Sequence, residues 1–141
     1  MKEQFVTYEI ALKLKELGFD EECFAIFFRT ILNNGRTVNY ISDDWESPFY
    51  KNRTNSESNS VDIVSAPLWQ QVVDWFREKH NIHIVVSGKL IDSSEHKIYL
   101  WEIYGDFEEL PGEPYEGLDK DYYKAREQAI LKAIEICKEN L

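Results

Sequence analysis

The sequence predicts an α+β fold whose elements follow the order α-ββ-α-ββ-α. Three observations predict it. Apolar residues recur with the 3.6-residue period of a helix in 7–19, 66–80 and 119–139. The stretches 23–42 and 82–104 are instead rich in aromatic and β-branched residues, in strand-like patterns. Each of these two stretches is broken by a turn signal, Asn34-Gly35 in the first and Asp92–Glu95 in the second. The economical assembly is an antiparallel sheet of four or more strands with helices packed mainly on one face.

The first helix has Thr7 as its N-cap and Gly18 just past its end, with Phe19 placed to fold back on Leu14. Tyr8, Ile10, Ala11, Leu14 and Leu17 share its apolar face, and Glu9 and Lys13 pair on the other. Residues 23–32 are apolar on both faces, so this strand is expected to be central or covered on both sides. Asn34-Gly35 predicts a type I′ turn into Thr37–Ser42. Residues 43–62 have no periodicity. Their latter part is Asn/Ser-rich and reads as a mobile loop, while their first part carries Trp45, Phe49 and Tyr50.

The middle helix is expected to start with Ser65 as N-cap and Pro67 in its first turn. Leu68, Trp69, Val72, Val73, Trp75 and Phe76 then fall within an arc of roughly 160° at 100° per residue. Trp75 sits at the edge of that stripe, the one tryptophan placed for partial exposure. Asn81 suits the helix end, and a strand runs from Ile82 to about Ile91, with Gly88 as a candidate bulge. In the strand that returns, Tyr99, Trp101 and Ile103 share one face, and Ile98, Leu100, Glu102 and Tyr104 the other. Residues 105–118 read as an acidic loop, and the last helix runs from Asp119 or Asp121 to Glu139. Alanines at 125, 129 and 133 allow that helix to approach the sheet closely.

At 141 residues the chain, 1–141, is sized for a single domain with its own core. A net charge of −10 argues against direct nucleic-acid binding and against an anionic membrane surface. No apolar run approaches the ~20 residues of a membrane span, and no export signal opens the chain, so the expected location is cytoplasmic. Cys23 and Cys137 read as reduced core thiols. His80, His83 and His96 have no metal-ligand spacing, and no phosphate-binding glycine loop or nucleophile elbow is present. No metal, cofactor or catalytic residue is expected.

Two features stand out as candidate sites. Arg126 falls near the centre of the last helix's apolar face and needs a partner, for which Glu102 or Asp106 is expected. The alternative is a cleft of Arg126, Tyr122, Trp101 and Glu102 that takes a small anionic ligand. The second feature is charge clustering. Glu102, Asp106, Glu108, Glu109, Glu113, Glu116, Asp119 and Asp121 stand against Lys120 alone. With Phe107 and Tyr115, and with Trp45, Phe49, Tyr50 and Trp75, these acids form a candidate surface for a protein partner. A nucleic-acid mimic that occupies a DNA-binding protein would use the same carboxylates.

The stretches TYEIALKLKELGF (7–19), APLWQQVVDWFREKHNIHI (66–84) and YKAREQAILKAIE (123–135) resemble a group of small hypothetical proteins encoded by bacteriophages and mobile elements of gut Bacteroidales. The likeness lies in the helical opening, the Ala-Pro segment ending in Trp75 and the Ala-rich closing helix, and it covers most of the chain outside 43–62. It implies a phage- or prophage-derived accessory protein and carries no activity or site residue with it. The expected function is therefore non-enzymatic, through contacts with a protein partner or with a second copy.

Overall fold

A computed structural model describes residues 4–42, 54–57, 63–90 and 97–140. The fold is α+β, with three helices and two three-stranded antiparallel sheets. The expected single sheet of four or more strands is therefore corrected. The two predicted hairpins belong to different sheets, and each sheet gains a third strand outside its hairpin. The chain forms two compact units, Met1–Gln71 and Val72–Leu141.

In the first unit, helix α1 spans Tyr8–Glu16. Thr7 is extended, and its hydroxyl accepts the Ile10 N–H at 3.3 Å. The helix ends in a complete Schellman motif. Gly18 takes a φ of 91°, its N–H bonds the Lys15 carbonyl at 3.0 Å, and the Phe19 N–H reaches the Leu14 carbonyl at 2.9 Å. Phe19 and Leu14 are both buried. Strand β1 (Ala25–Ile31) lies between β2 (Thr37–Ser42) and β3 (Ile63–Ala66), the central place its two-faced apolar pattern requires. The β1–β2 turn differs from the expected type I′. Gly35 donates to the Leu32 carbonyl at 2.9 Å, and Gly35, at φ 79°, is the residue of this turn in the left-handed region. Asn34 instead uses its side chain, accepting the Arg36 N–H at 2.9 Å.

Ser65 lies buried in β3, so it is not the N-cap of the middle helix. Helix α2 spans Trp69–His80. Its start is held by Gln71, whose Oε1 accepts the Leu68 N–H at 3.4 Å, the reach-back half of a capping box. Trp45, Phe49 and Tyr50 lie outside the described residues. Further along the expected mobile loop, Asn55–Glu57 form a short 3-10 turn that is tied down. Asn55 is buried, donating from Nδ2 to the Phe19 carbonyl at 2.7 Å and accepting the Ser65 N–H at 2.9 Å. Asp20 accepts the Ser56 N–H beside it at 2.6 Å, and hydrogen bonds from the Ser56 side chain first, then from that N–H and from Thr54, hold the Asp20 carboxyl below its ordinary value against partial burial.

In the second unit, Val72, Trp75 and Phe76 of α2 are buried. Trp75 is only 5% exposed, which corrects its expected place on a partner surface. Its indole meets Phe76 and His80 edge-on, with ring centroids 5.0 and 4.6 Å away, so the edge of the stripe is covered by rings of the same helix. Asn81 takes a left-handed φ of 51° and turns the chain into β4 (Ile82–Leu90). Strand β5 (Lys97–Gly105) pairs with β4 without interruption, from Ile82↔Gly105 to Leu90↔Lys97. Gly88 is therefore no bulge. It faces Tyr99, whose ring lies at ordinary contact distance, 3.4 Å, from where a Cβ would stand. His83 stacks on Tyr104 across the pair, and His96 lies outside the described residues.

Strand β6 (Glu116–Asp119) adds to β5 from within the expected acidic loop. Helix α3 spans Tyr122–Glu139, capped by Asp121, which accepts the Tyr123 N–H at 2.8 Å. It packs on the β4-β5-β6 sheet, with Ala125, Ala129 and Ala133 fully buried as close approach demands. Among the described residues, no helix is long and apolar enough to cross a membrane.

Candidate functional site

Successive residues of a strand point to opposite faces, and this parity decides the surroundings of Arg126. The α3 side of β5 is the side of Tyr99 and Trp101. Tyr99 meets Tyr122 edge-on at 5.6 Å, and the Trp101 indole donates to Gln128 Oε1 at 3.0 Å. Glu102 therefore lies on the far face, and the expected pairing with Arg126 is excluded by register. Rings take that place. The Arg126 guanidinium carbon lies 5.5 Å from the Tyr122 ring centroid and 5.3 Å from that of Tyr123. Burial pulls the guanidinium below its ordinary value, opposed by the neighbouring tyrosine hydroxyls. Tyr122 and Tyr123 are 40% and 59% exposed, so the cluster opens to solvent. Trp101 is buried and engaged by Gln128, and it does not line an open cleft.

The acidic segment after β5 is not a free loop. Lys132, in the middle of α3, is buried, and its ammonium meets Glu113 at 2.7 Å and Glu135 at 3.5 Å. Burial lowers this ammonium, but the hydrogen bond and charge of Glu113 with the charge of Glu135 outweigh it, leaving Lys132 above its ordinary value. Tyr115 lies under the same ammonium at 5.3 Å, and its hydroxyl accepts the Leu110 N–H at 2.6 Å. Phe107 packs on Tyr115 at 5.3 Å. Glu113, Phe107 and Tyr115 thus fasten the segment, while Asp106, Glu108 and Glu109 remain exposed. Sequence reasoning missed Lys132, because its partner stands 19 residues earlier in a stretch without periodicity.

The outer face of the sheet carries another concentration. Glu102 and Glu116 are directly opposed across β5 and β6, an arrangement that destabilises by like-charge repulsion. Beside them stand the stacked His83–Tyr104 pair and the exposed Leu118.

Where α2 and α3 end, a hollow of about 80 Å³ is walled by His80, Ile82, Asp106, Phe107, Cys137 and Asn140. The Asp106 N–H bonds the Asn81 carbonyl at 3.1 Å and fixes one wall. Burial holds the His80 imidazole below its ordinary value and pushes the Cys137 thiol up to about 11. Cys23, in the first unit, is pushed up to about 12, again by burial. Both are free, buried thiols. At pH 8 the thiolate fraction is then on the order of one in ten thousand for Cys23 and one in a thousand for Cys137. The native chain is expected to leave Ellman's reagent unreacted over minutes and to release two thiols after denaturation; rapid native reaction at pH 8 contradicts the burial. Among the described residues, no group of three or more His, Cys, Asp or Glu is placed to hold a metal ion.

Set against models of protein families, curated proteins and solved structures, the chain matches none of them.

Proposed function

We propose that this chain is a non-enzymatic accessory protein, of the phage-borne kind its sequence resembles, and that it acts by binding another protein. The observation that carries this reading is the Tyr122–Tyr123–Arg126 cluster. Tyrosine and arginine are the residue types that anchor protein interfaces, because they combine large apolar area with fixed hydrogen-bonding groups. Here the guanidinium lies over both rings, which holds the three side chains in one arrangement before a partner arrives. The rings are open to solvent, at the start of a helix rigidly seated on its sheet. Exposed Glu108 and Glu109, within a chain of charge −10, favour approach by a basic partner. The raised Cys137 thiol supports the non-enzymatic part, since it is a poor nucleophile beside His80.

The test is affinity capture from host lysate with wild type, with Tyr123→Ala and Arg126→Ala, and with Glu108→Gln/Glu109→Gln. Each anchor substitution is expected to weaken retention of the specific partner at least about tenfold. The double glutamine variant is expected to slow capture at low salt and to matter little at high salt. Equal retention by all variants, with far-UV circular dichroism unchanged, overturns the proposal. A second reading, a small anion held by Arg126, draws on the same half-buried guanidinium. A thermal shift with inorganic phosphate or nucleotides that vanishes in Arg126→Ala favours it instead.

A further inference from the structure

The hollow at the ends of α2 and α3 lies apart from the tyrosine–arginine cluster and shares only Asp106 and Phe107 with the acidic segment. His80 is the last residue of α2, and Cys137 and Asn140 belong to the last turn and cap of α3. Two helix C-termini therefore border one small space. Each helix end carries the partial negative charge of the helix dipole, which falls off within the last turn; at the α3 end the Ile136 carbonyl accepts the Asn140 N–H at 3.2 Å and its Nδ2 at 2.7 Å. Asp106, an exposed residue of the lining, brings a carboxylate to it. Phe107 supplies an aromatic wall, whose face attracts cations. The described lining contains no lysine or arginine. Lys79 and Lys138, near the two helix ends, are exposed and not in the wall.

The remaining wall is apolar or soft, from Ile82, Ile136 and Cys137. Such a lining disfavours a strongly hydrated ion and accepts alkyl groups. With so few acidic or imidazole groups in reach, it is also no metal cage among the described residues. We propose that this hollow binds a small alkylammonium ion, with the charged nitrogen towards Asp106 and the helix ends and the alkyl groups against Phe107, Ile82 and Ile136.

His80 fits this assignment as a neutral ring. Burial disfavours its charged form, so the imidazole adds hydrogen-bonding capacity without adding a competing positive charge. The edge-on contact with Trp75 holds the ring in place.

The test uses trimethylammonium chloride as the probe and tert-butanol as its neutral counterpart of similar shape, each titrated into the full-length chain at constant ionic strength. Heteronuclear NMR follows the methyl groups of Ile82 and Ile136 and the backbone of Asp106 and Phe107. Saturable shifts at these residues with trimethylammonium, at least fivefold weaker with tert-butanol, are the expected result. Asp106→Asn, which keeps shape and removes charge at an exposed position, is expected to weaken the cation at least fivefold with the rest of the spectrum unchanged. Phe107→Leu should weaken it as well. Equal affinity for the neutral probe, equal affinity in Asp106→Asn, or no saturable shift at the hollow overturns the proposal.

Discussion

Asn55→Ala is expected to lower stability by about 3 kcal/mol, seen as a fall in the urea midpoint with an unchanged slope. The size follows from what the amide holds. Asn55 is 8% exposed, and its two ends bond main-chain groups from separate parts of the first unit, the Phe19 carbonyl and the Ser65 N–H. Truncation leaves both of those groups without these bonds at a buried place, at about 1–3 kcal/mol each. Asn55→Asp is expected to fare no better, because a carboxylate would then face the Phe19 carbonyl. Ser56→Ala is the control. Alanine keeps the Ser56 backbone N–H that bonds Asp20 and loses only the hydroxyl's exposed contacts with Asp20 and Thr54, so a loss of no more than about 1 kcal/mol is expected, well short of the Asn55 effect. An Asn55→Ala chain as stable as wild type would mean that 54–57 is not docked on the first unit.

Nothing in the order of residues marks Asn55. It stands in an Asn/Ser-rich run that looks solvated, and its role depends on two carbonyl and amide groups, 36 and 10 residues away. The features that were legible are local ones. The Thr7 cap, the Gly18–Phe19 ending, the start of the last helix near Asp119 or Asp121 and the long β4–β5 hairpin each lie within a few residues or one tight connection, where spacing alone carries the physics. The third strand of each sheet was not legible. Strands β3 and β6 have four residues apiece, too few for alternation to show, and β3 joins β1 across a connection with no periodicity.

Arg126 shows how far pattern goes and where it stops. Its position on the apolar face of α3 correctly demanded a partner, and the alternation of β5 correctly separated Glu102 from Trp101. What the pattern lacked was the face on which α3 packs. That choice puts Trp101 and Tyr99 under the helix and Glu102 on the other side, so the guanidinium finds tyrosine rings. Trp75 failed for a related reason. A helical projection places it at the edge of the stripe but does not know that His80, at the end of the same helix, covers it. The hollow needs three separated segments to exist at all, and only the fold brings them together.

Gly117→Ala is expected to destabilise the second unit by about 2–3 kcal/mol through overpacking. Gly117 stands directly opposite Trp101 on β6, and the indole lies across it, with atoms no more than 2.7 Å from where a Cβ would be. The ring cannot simply yield. Its N–H donates to Gln128 Oε1 at 3.0 Å, Gln128 donates to Asp119 at 2.9 Å, and Asp119 accepts the N–H of the capping Asp121 at 2.8 Å. A methyl group at 117 must therefore either break that chain of hydrogen bonds or push β6 away from β5. Leu118→Ala, one residue on and exposed, is expected to cost within about 0.5 kcal/mol, which separates the steric effect from a general weakness of the strand. Trp101→Phe removes the indole ring that obstructs the methyl, so the double substitution should cost less than the two single losses added together. The same chain of bonds orients the first turn of α3, where Tyr122, Tyr123 and Arg126 stand, so partner capture should weaken in Gly117→Ala under conditions where the variant remains folded. An unshifted Trp101 indole N–H resonance together with unchanged stability would show that the indole does not rest on Gly117.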